Sequence, residues 1–309
     1  MDGVLVIDKP LGPTSHDIVA KVRRALNIEK VGHTGTLDPM ASGVLPLVLG
    51  KGTKLARYLS GSTKTYQATI CLGVTTETLD AEGEVVQRRD VDVTQADIDR
   101  VLEQFRGEIS QVPPMYSAKK IDGQKLYQLA RKGVEIAREA KQVTVLHLHC
   151  GGYQAPELHF EVSCTAGTYV RVLAQDIGEA LGCGAYLKAL RRTQAGPFSL
   201  SQSITLDAAL EDPAAALSQV VPLSCALSEL PRIDVPADIA RMIALGHQLS
   251  VADLRVLDTP DFGLDEALTL GLDGGEVIAV ARAQMGSDEL PRSRRDRRAL
   301  KTERVLSAR

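Results

Sequence analysis

The decisive stretch of this sequence reads Val31-Gly32-His33-Thr34-Gly35-Thr36-Leu37-Asp38-Pro39. Pro39 disfavours a helical conformation at Asp38, and Gly32 and Gly35 permit backbone conformations that other residues rarely adopt. This composition indicates a shaped loop that holds one histidine and one aspartate in fixed places. Spacing alone also fits an ordinary turn with a self-capping aspartate and a solvated histidine, and by itself favours that interpretation.

The overall composition favours a globular protein with two domains. The chain has 309 residues, of which 44% are hydrophobic, and no apolar run is long enough to cross a membrane. The first eight residues lack the basic start and the apolar core of a signal peptide. The five cysteines are scattered and form no Cys-x-x-Cys pair, which disfavours a zinc site or a disulfide framework. We therefore expect a cytoplasmic protein.

The net charge of -3 conceals an uneven distribution. Residues 207–291 hold 15 acidic and 4 basic residues, whereas residues 292–309 hold 8 basic and 2 acidic residues. Residues 106–141 hold 8 basic and 4 acidic residues, with tyrosines interleaved. Cations that contact phosphates and rings that stack on bases suit a flexible RNA strand. A solvated helix and loop would show a similar mixture, so both interpretations stay open.

Periodicity predicts alternating strands and helices through the first two thirds of the chain. Thr14 with Asp17 and Thr94 with Asp97 have the spacing of capping boxes at the start of two helices. Continuous apolar runs predict strands at residues 4–7 and 43–50, and alternation of apolar and polar residues predicts strands at residues 64–72, 143–149 and 158–164. Arg171 falls where a strand is expected to lead into a helix.

Three histidines in the predicted strands are the natural candidates for a metal site. Alternation places His147 and His149 on one face, and His159 lies on the next strand. No third ligand recurs beside the first two, so we interpret all three as sheet residues rather than metal ligands.

Several motifs together resemble the TruB family of bacterial tRNA pseudouridine-55 synthases. The resemblance covers residues 3–198 and weakens beyond them. It is carried by Lys9-Pro10-x-Gly12-x-Thr14-Ser15, Gly32-His33-Thr34-Gly35-Thr36-Leu37-Asp38-Pro39, Ala41-x-Gly43-Val44-Leu45-Pro46, Gly50-x-Gly52-Thr53-Lys54, Gly167-Thr168-Tyr169-Val170-Arg171 and Leu187-x-x-Leu190-Arg191-Arg192. An ordered series of motifs is far more specific than one short pattern, so a shaped catalytic loop becomes the favoured interpretation of residues 31–39.

The resemblance implies three catalytic residues. Asp38 matches the catalytic aspartate, which attacks C1′ or C6 or removes the C2′ proton; the sequence leaves these routes open. Arg171 matches the arginine that pairs with this aspartate, keeps it ionised and orients it. Tyr66 matches the tyrosine that stacks on the target base and is a candidate for proton transfer at C5. The family's reaction is an isomerisation, so no metal or other cofactor is expected.

The resemblance also implies residues that bind the RNA. His33 matches a histidine that contacts the flipped base, Leu190 an apolar residue beside that base, and Asp80 an acidic residue next to the pocket. Phosphate contacts are expected at Lys9, Lys54, Lys64, Lys119 and Lys120. Relatives often carry a lysine where this sequence has Ala166, which puts one backbone contact in doubt.

The fold implied by the resemblance is α+β, with a mixed, largely antiparallel sheet, flanking helices and a small β-rich PUA-like domain. We expect a pseudouridine synthase domain at residues 1–228 and a PUA-like RNA-binding domain at residues 229–309. Thr302 replaces a proline that often closes the family's last strand. The Arg-rich segment 286–299 is predicted to be a mobile loop.

The expected partner is the T-stem-loop of tRNA, whose strained loop makes base flipping less costly. The protein is expected to be a monomer without an obligate protein partner, and it is not expected to bind a membrane. Three alternatives remain at this point. One is the same chemistry in a guide-RNA-dependent complex, and another is a tRNA-binding folding factor in which catalysis is secondary or lost. The third is a modified target other than tRNA.

Overall fold

The computed structural model describes residues 1–117, 120–121, 124–130, 133–134, 136–272 and 275–306. The helices that it describes include none that is long and apolar enough to span a membrane. In chain order its strands are β1 Gly3–Lys9, β2 Val31–His33, β3 Ala41–Leu49, β4 Lys64–Leu72, β5 Val74–Thr76, β6 Val85–Arg88, β7 Gly107–Gln111, β8 Lys120–Ile121, β9 Gln124–Lys125, β10 Lys141–Gln154, β11 Glu157–Cys164, β12 Ala185–Ala195, β13 Phe198–Ser199, β14 Ile204–Thr205, β15 Arg232–Val235, β16 Ala267–Leu272, β17 Val277–Ala283 and β18 Leu300–Val305.

The helices flank these strands. In chain order they are α1 Ser15–Ala25, α2 Ala56–Ser60, α3 Gln95–Gln104, α4 Leu126–Ala130, α5 Val170–Ala180, α6 Leu206–Glu211, α7 Pro213–Ser218, α8 Leu223–Ala226, α9 Ala237–Ala244 and α10 Val251–Leu254. Short 3₁₀ helices occupy Gly50–Leu55, Leu200–Gln202 and Ser287–Arg292. Both predicted capping boxes are present, with Thr14 at the start of α1 and Thr94 at the start of α3.

A large sheet forms the body of the protein, with the order β14-β1-β3-β12-β4-β11-β10-β7 and with β2 and β13 paired at its side. β1 pairs with β14, and β3 with β12, in parallel, whereas the other pairs in this sheet are antiparallel. This confirms the expected α+β class with a mixed, largely antiparallel sheet. Helices α3 and α5 bury one face of it, through apolar residues such as Ile98, Leu173 and Ile177.

The register of the central strands places three site residues side by side. In the antiparallel pair of β4 and β12, Arg192 lies opposite Tyr66 and Leu190 opposite Ala68. In the parallel pair of β3 and β12, Arg192 lies opposite Gly43. Gly43 has φ +103°, and a Cβ there would lie 2.1 Å from the Arg192 carbonyl oxygen. The close approach of β3 to β12 therefore requires glycine at this position.

The C-terminal region forms a second, smaller sheet in the order β15-β16-β17-β18. This confirms that the region is β-rich, but helices α9 and α10 were not predicted from the sequence. In the segment that was predicted to be a loop, Ser287–Arg292 forms a 3₁₀ helix, and Arg255 donates hydrogen bonds to the Leu290 and Pro291 carbonyls. The segment is therefore anchored to the end of α10 at these carbonyls.

The two sheets share an apolar core. Val277 and Val280 of β17 belong to the same buried cluster as Val4 and Val48 of the large sheet and Phe198 beside it. Arg57 donates hydrogen bonds to Tyr58 and to Glu303 of β18 at the edge of this contact, at 2.5 Å in each case. Polar and apolar contacts thus join the C-terminal sheet to the body of the protein.

Candidate active site

A cavity of about 450 Å³ opens between the loop that follows β2, the strands β4 and β12, and the start of α5. This volume falls in the range of pockets that hold small ligands. Its lining brings together residues that are far apart in the sequence, namely His33, Gly35, Asp38, Lys64, Tyr66, Ser117, Tyr169, Arg171, Leu190 and Arg192. All three residues predicted to be catalytic therefore face one space.

Arg171 lies between two carboxylates. Its Nη2 donates a hydrogen bond to Asp38 Oδ2 at 2.6 Å, and its Nη1 donates to Asp80 Oδ2 at 3.2 Å. The Arg171 side chain is 8% exposed and that of Asp80 is 3% exposed, whereas that of Asp38 is 40% exposed. The Arg171 guanidinium thus links the Asp38 carboxylate, which reaches the cavity, to the Asp80 carboxylate, which does not.

Asp80 is fixed independently of Arg171. Its Oδ1 accepts hydrogen bonds from Thr78 Oγ1 at 2.5 Å and from the backbone N–H of Glu82 at 3.1 Å. Its backbone also forms a bridge to Leu187 on β12. Because two donors hold its Oδ1 and the bridge to β12 fixes its backbone, Asp80 provides a rigid support for the Arg171 guanidinium.

The environment of Asp38 works against its ionisation. Burial by the surrounding protein atoms raises the pKa of the carboxyl group above its usual value, and the charge of Asp80 acts in the same direction. The nearby Arg171 opposes both effects and lowers the pKa. A carboxylate that is partly desolvated yet held by one cation is more reactive than one in water, because its charge is less well solvated.

Lys9 supports the Asp38 loop from behind, which corrects the prediction that it contacts phosphate. Its side chain is fully buried, and Nζ donates hydrogen bonds to the Ala41 carbonyl at 2.7 Å and the Pro10 carbonyl at 3.0 Å. Burial lowers the pKa of Lys9 to about 8. Lys9 does not line the cavity, unlike Lys64 and Arg192, so a phosphate of an RNA strand that enters the cavity does not reach this ammonium group.

Three apolar or aromatic side chains shape the rest of the cavity. Tyr66 packs with both of the buried clusters that meet under the site, as does Leu190. Burial raises the pKa of the Tyr66 hydroxyl above its usual value, and the charge of Arg192 counteracts this effect. Tyr169 is the residue immediately before α5, and the buried Gln111 side chain binds both its N–H and its carbonyl.

Two buried polar atoms at the cavity have no hydrogen-bond partner, within the residues that the structure describes. They are His33 Nδ1 and Ser117 Oγ. Burial lowers the pKa of His33, and the neighbouring His16, whose ring centroid is 5.4 Å away, contributes to this shift. Buried groups without partners are uncommon, so both are candidates to bind a ligand in the cavity.

The other predicted phosphate contacts fall into different environments. Lys64 lines the cavity and is 7% exposed. Lys54 donates a hydrogen bond to the Val305 carbonyl at 3.1 Å, at the junction with the C-terminal sheet. Lys119 and the side chain of Lys120 lie outside the described residues.

Three residues of the lining, Ser117, Tyr169 and Arg192, were not predicted to belong to the site. Tyr169 and Arg192 lie in motifs quoted above and Ser117 lies in the basic segment 106–141, but neither charge nor periodicity distinguishes them from their neighbours. The signal for Arg192 was its place in a strand, since Arg191 and Arg192 must point to opposite faces. Arg191 binds Asp8, and Arg192 points to the cavity.

Residues 23–224 match the models of one protein family. Residues 23–170 match the N-terminal domain of the TruB family pseudouridylate synthases, and residues 171–224 match the tRNA pseudouridylate synthase B C-terminal domain. A tRNA pseudouridine synthase B of Pseudomonas fluorescens strain Pf-5 is 47% identical over 85% of this chain and 87% of its own. One of Burkholderia pseudomallei strain 668 is 44% identical over 93% of this chain and 94% of its own.

Solved structures extend the similarity to the whole chain. The crystal structure of a Cbf5-Nop10-Gar1 complex contains a chain that is 30% identical, with a TM-score of 0.79 over 98% of this chain and 84% of its own. A chain in the structure of an H/ACA RNP bound to a substrate RNA containing 2′-deoxyuridine is 27% identical, with a TM-score of 0.79 over 99% of this chain and 85% of its own. With the motif series, the sheet order and the extent of these matches in agreement, the chain belongs to the TruB family of pseudouridylate synthases.

Proposed function

We propose that this protein converts the T-loop uridine of tRNA, at position 55, to pseudouridine, with Asp38 as the reacting carboxylate. The observation that carries the proposal is the Asp38 side chain, which reaches a nucleoside-sized cavity while Arg171 holds it at 2.6 Å. Relatives named tRNA pseudouridine synthase B support tRNA as the substrate.

The reaction is an isomerisation in which every atom of the nucleoside is retained. The bond from N1 to C1′ of the ribose breaks, and a bond from C5 to C1′ forms. The proton on C5 leaves, and N1 gains a proton. No electrons are exchanged with another molecule, so we propose that the enzyme needs no metal or cofactor.

Asp38 acts directly on the nucleotide by one of three routes. Its ionised carboxylate attacks C1′, attacks C6, or removes the C2′ proton. All three routes require an ionised Asp38 that points to the ribose and base. Arg171 favours the ionised form of the carboxyl group and orients it. Asp80 acts through Arg171 and is therefore a positioning residue.

The other cavity residues hold the base. Tyr66 stacks on the uracil, and its hydroxyl is the candidate for the group that exchanges the C5 proton. Leu190 packs against the same ring. His33 contacts the base that is flipped out of the RNA loop, and its unpartnered Nδ1 is available for this contact.

The RNA must deliver a flipped nucleotide to this cavity, at a cost of a few kcal/mol of unstacking. We propose that residues 1–228 form the catalytic domain and that residues 229–309 form a PUA-like domain that binds the tRNA. Lys54, Lys119 and Lys120 are proposed to contact RNA phosphates. Lys54 lies beside β18, where the catalytic domain meets the C-terminal sheet. We further propose that the enzyme works in the cytoplasm as a monomer without an obligate protein partner.

The test is to map pseudouridine on an unmodified tRNA transcript after incubation with the wild type or with Asp38→Asn. We expect pseudouridine at the T-loop uridine with the wild type and none with Asp38→Asn. Filter binding should show that the variant still binds the transcript, because the substitution keeps the shape of the side chain.

Other outcomes point to specific alternatives. Wild-type product at another uridine would retain the chemistry and reject the T-loop substrate. Product that forms only after a guide RNA is added would support the guide-dependent class. If neither protein forms product while both bind tRNA tightly, the folding-factor alternative replaces the catalytic proposal.

A further inference from the structure

We propose that Lys64 and Arg192 form a binding subsite for one phosphodiester group of the RNA, in the space beside Gly35. The bound phosphate would fix the direction in which the target nucleotide enters the cavity. This inference rests on the proposed function and adds a part of the site that recognises the backbone.

The strand register brings the two cations to the same place. Arg192 lies opposite Tyr66 in the pair of β4 and β12, and Lys64 precedes Tyr66 by two residues. Because side chains alternate along a strand, Lys64 shares the face of Tyr66. Lys64, Tyr66 and Arg192 all line the cavity.

Gly35 keeps the space between the two cations open. A Cβ built on Gly35 would lie 3.5 Å from Arg192 Nη1 and 4.0 Å from Lys64 Cε. Both contacts are of ordinary van der Waals length, so even one methyl group would occupy the space that the two side chains flank. Glycine leaves room there for a ligand atom.

Neither cation is matched by a carboxylate. Arg192 is 1% exposed and donates to the Val44 carbonyl at 2.7 Å and the Gly35 carbonyl at 3.1 Å. Lys64 donates to the Ser60 carbonyl at 2.6 Å and the Ser62 carbonyl at 2.5 Å. Across the ranges that the structure describes, no carboxylate oxygen lies within 4 Å of either side chain's nitrogen atoms, unlike Arg171 with its two carboxylates.

This arrangement has an electrostatic cost that an anion would relieve. Burial lowers the pKa of Lys64 to about 8, and repulsion by Arg192 contributes to the shift. Buried charges without a counterion are unfavourable. An anion bound between the two cations would replace repulsion with attraction on both sides. It would also raise the pKa of Lys64, so that binding and protonation of Lys64 support each other.

The anion that fits is a phosphodiester. An RNA strand carries one negative charge at each linkage, and a nucleotide in the Asp38 cavity has a phosphate on each side of its ribose. Arginine offers a planar set of donors and lysine a mobile point charge, which together suit phosphate oxygens. In the Asp38, Arg171 and Asp80 group two carboxylates already face one guanidinium, so the positive charge of the cavity that an anion can still meet lies at Lys64 and Arg192.

The experiment combines a change in the RNA with a change in the protein. Synthetic T-arm stem-loops carry an uncharged methylphosphonate at the linkage on the 5′ side or the 3′ side of the target uridine. For the wild type we expect one of the two linkages to lower kcat/KM about 10- to 100-fold. Lys64→Met should show a loss of similar size with the unmodified stem-loop. In Lys64→Met the same methylphosphonate should cause less than about twofold further loss, because the partner charge is already absent.

Lys21→Met provides the matched control, since Lys21 is an exposed lysine on α1. It should respond to each methylphosphonate as the wild type does. If both methylphosphonates lower kcat/KM in Lys64→Met by the same factor as in the wild type, the subsite is ruled out. If the wild type forms no pseudouridine on the unmodified stem-loop, the proposed function fails. The same comparison of stem-loops and variants, made with dissociation constants in place of kcat/KM, then still tests the subsite.

A second measurement does not depend on Lys64→Met folding normally. Gly35→Asp places a carboxylate between the two cations, and Gly35→Asn places a neutral group of the same shape there. We expect Gly35→Asp to melt about 2–4 °C above Gly35→Asn and to bind the stem-loop at least about 10-fold more weakly than Gly35→Asn does. Equal melting temperatures together with equal RNA affinities for the two variants would overturn the proposal.

Discussion

The Ser15 hydroxyl binds both backbone groups of Leu37, the residue that precedes Asp38. Ser15 Oγ accepts a hydrogen bond from the Leu37 N–H at 2.8 Å and donates one to the Leu37 carbonyl at 3.0 Å. Ser15 is 1% exposed at the first position of α1. A residue that does not line the cavity therefore fixes the backbone from which the reacting carboxylate extends.

The first prediction is that Ser15→Ala impairs catalysis more than it impairs RNA binding. Both backbone groups of Leu37 would lose their partner, which costs about 1–3 kcal/mol of unfolding free energy when such groups are buried. A looser loop should also lower the single-turnover rate about 10-fold, because small displacements of a reacting group are costly. Urea unfolding and a quenched single-turnover assay measure the two effects.

Ser228→Ala is the control for this variant, since Ser228 is exposed. It should match the wild type in both measurements. A Ser15→Ala protein with the wild-type rate would show that α1 does not position Asp38.

The second prediction concerns the pH dependence of Asp80→Asn. The charge of Asp80 raises the pKa of Asp38, in addition to the larger effect of burial. Removing that charge lowers the pKa of Asp38, so the carboxylate stays ionised to lower pH. We expect the acid limb of the kcat/KM profile to move to lower pH, while the rate on the plateau falls about 10-fold because Arg171 loses its support.

The profile itself separates this explanation from a loss of folding. Partial unfolding would lower the rate without moving the limb, whereas a limb displaced to higher pH would reverse the assigned sign of the Asp80 effect. Glu82→Gln supplies a comparison at the margin of the site, where burial raises the pKa of Glu82 and the charges of Asp80 and Asp38 raise it further.

The third prediction contrasts Lys9 with Lys64 in the salt dependence of RNA binding. Lys9 is enclosed by backbone carbonyls, whereas Lys64 lines the cavity. Each phosphate contact contributes about 0.7–0.9 to the slope of log K against log salt concentration. We expect Lys9→Met to leave the slope unchanged while lowering kcat, and Lys64→Met to reduce the slope by about one contact.

Fluorescence anisotropy with labelled stem-loop between low and moderate salt measures the slope. If the slope falls by the same amount in both variants, Lys9 contacts a phosphate after all. If Lys9→Met has the kcat of the wild type, Lys9 does not support the Asp38 loop.

The sequence predicted the local structure well where the cause is local. The capping boxes at Thr14 and Thr94, the alternation along β4 and the loop at Asp38 all depend on neighbouring residues, and each is present. The resemblance of the motifs to a known family then predicted Asp38, Tyr66 and Arg171 as site residues, and the structure places all three around one cavity. Their catalytic roles stay predictions until the variants are measured.

The environments of the lysines could not be predicted in the same way. A lysine is ordinarily exposed, and nothing in the sequence around Lys9 indicates that the Pro39 and Ala41 carbonyls, thirty or more residues away, help to enclose it. The carbonyls that bind Lys64 are close in sequence, but only the turn after α2 aims them at Nζ. Burial of charge is decided by tertiary contacts, which periodicity does not describe.

The C-terminal region shows the same limit at the level of secondary structure. Ile239 and Ile243 have helical spacing and are buried in α9, but eight residues give too weak a pattern to outweigh the surrounding turn signals. The helix is stable because it packs against the second sheet, in a cluster with Leu268 and Leu270.

The fourth prediction is that Asp38→Asn stabilises the folded protein near neutral pH. Burial raises the pKa of Asp38 in the folded state above its value in the unfolded chain. The folded protein therefore holds this proton more tightly, and the associated stability is present at low pH and is lost as the pH rises through the folded-state pKa. Asparagine never ionises, so Asp38→Asn should melt above the wild type at pH 7, and the difference should shrink towards pH 4.

Thermal unfolding of both proteins across this pH range measures the difference, with Asp207→Asn as an exposed carboxylate control on α6. The control should show no such trend. A melting temperature of Asp38→Asn at or below that of the wild type at pH 7 would mean that the attraction of Arg171 outweighs burial. In that case Asp38 would stabilise the fold as well as react, and the conflict between stability and reactivity inferred for this residue would not exist.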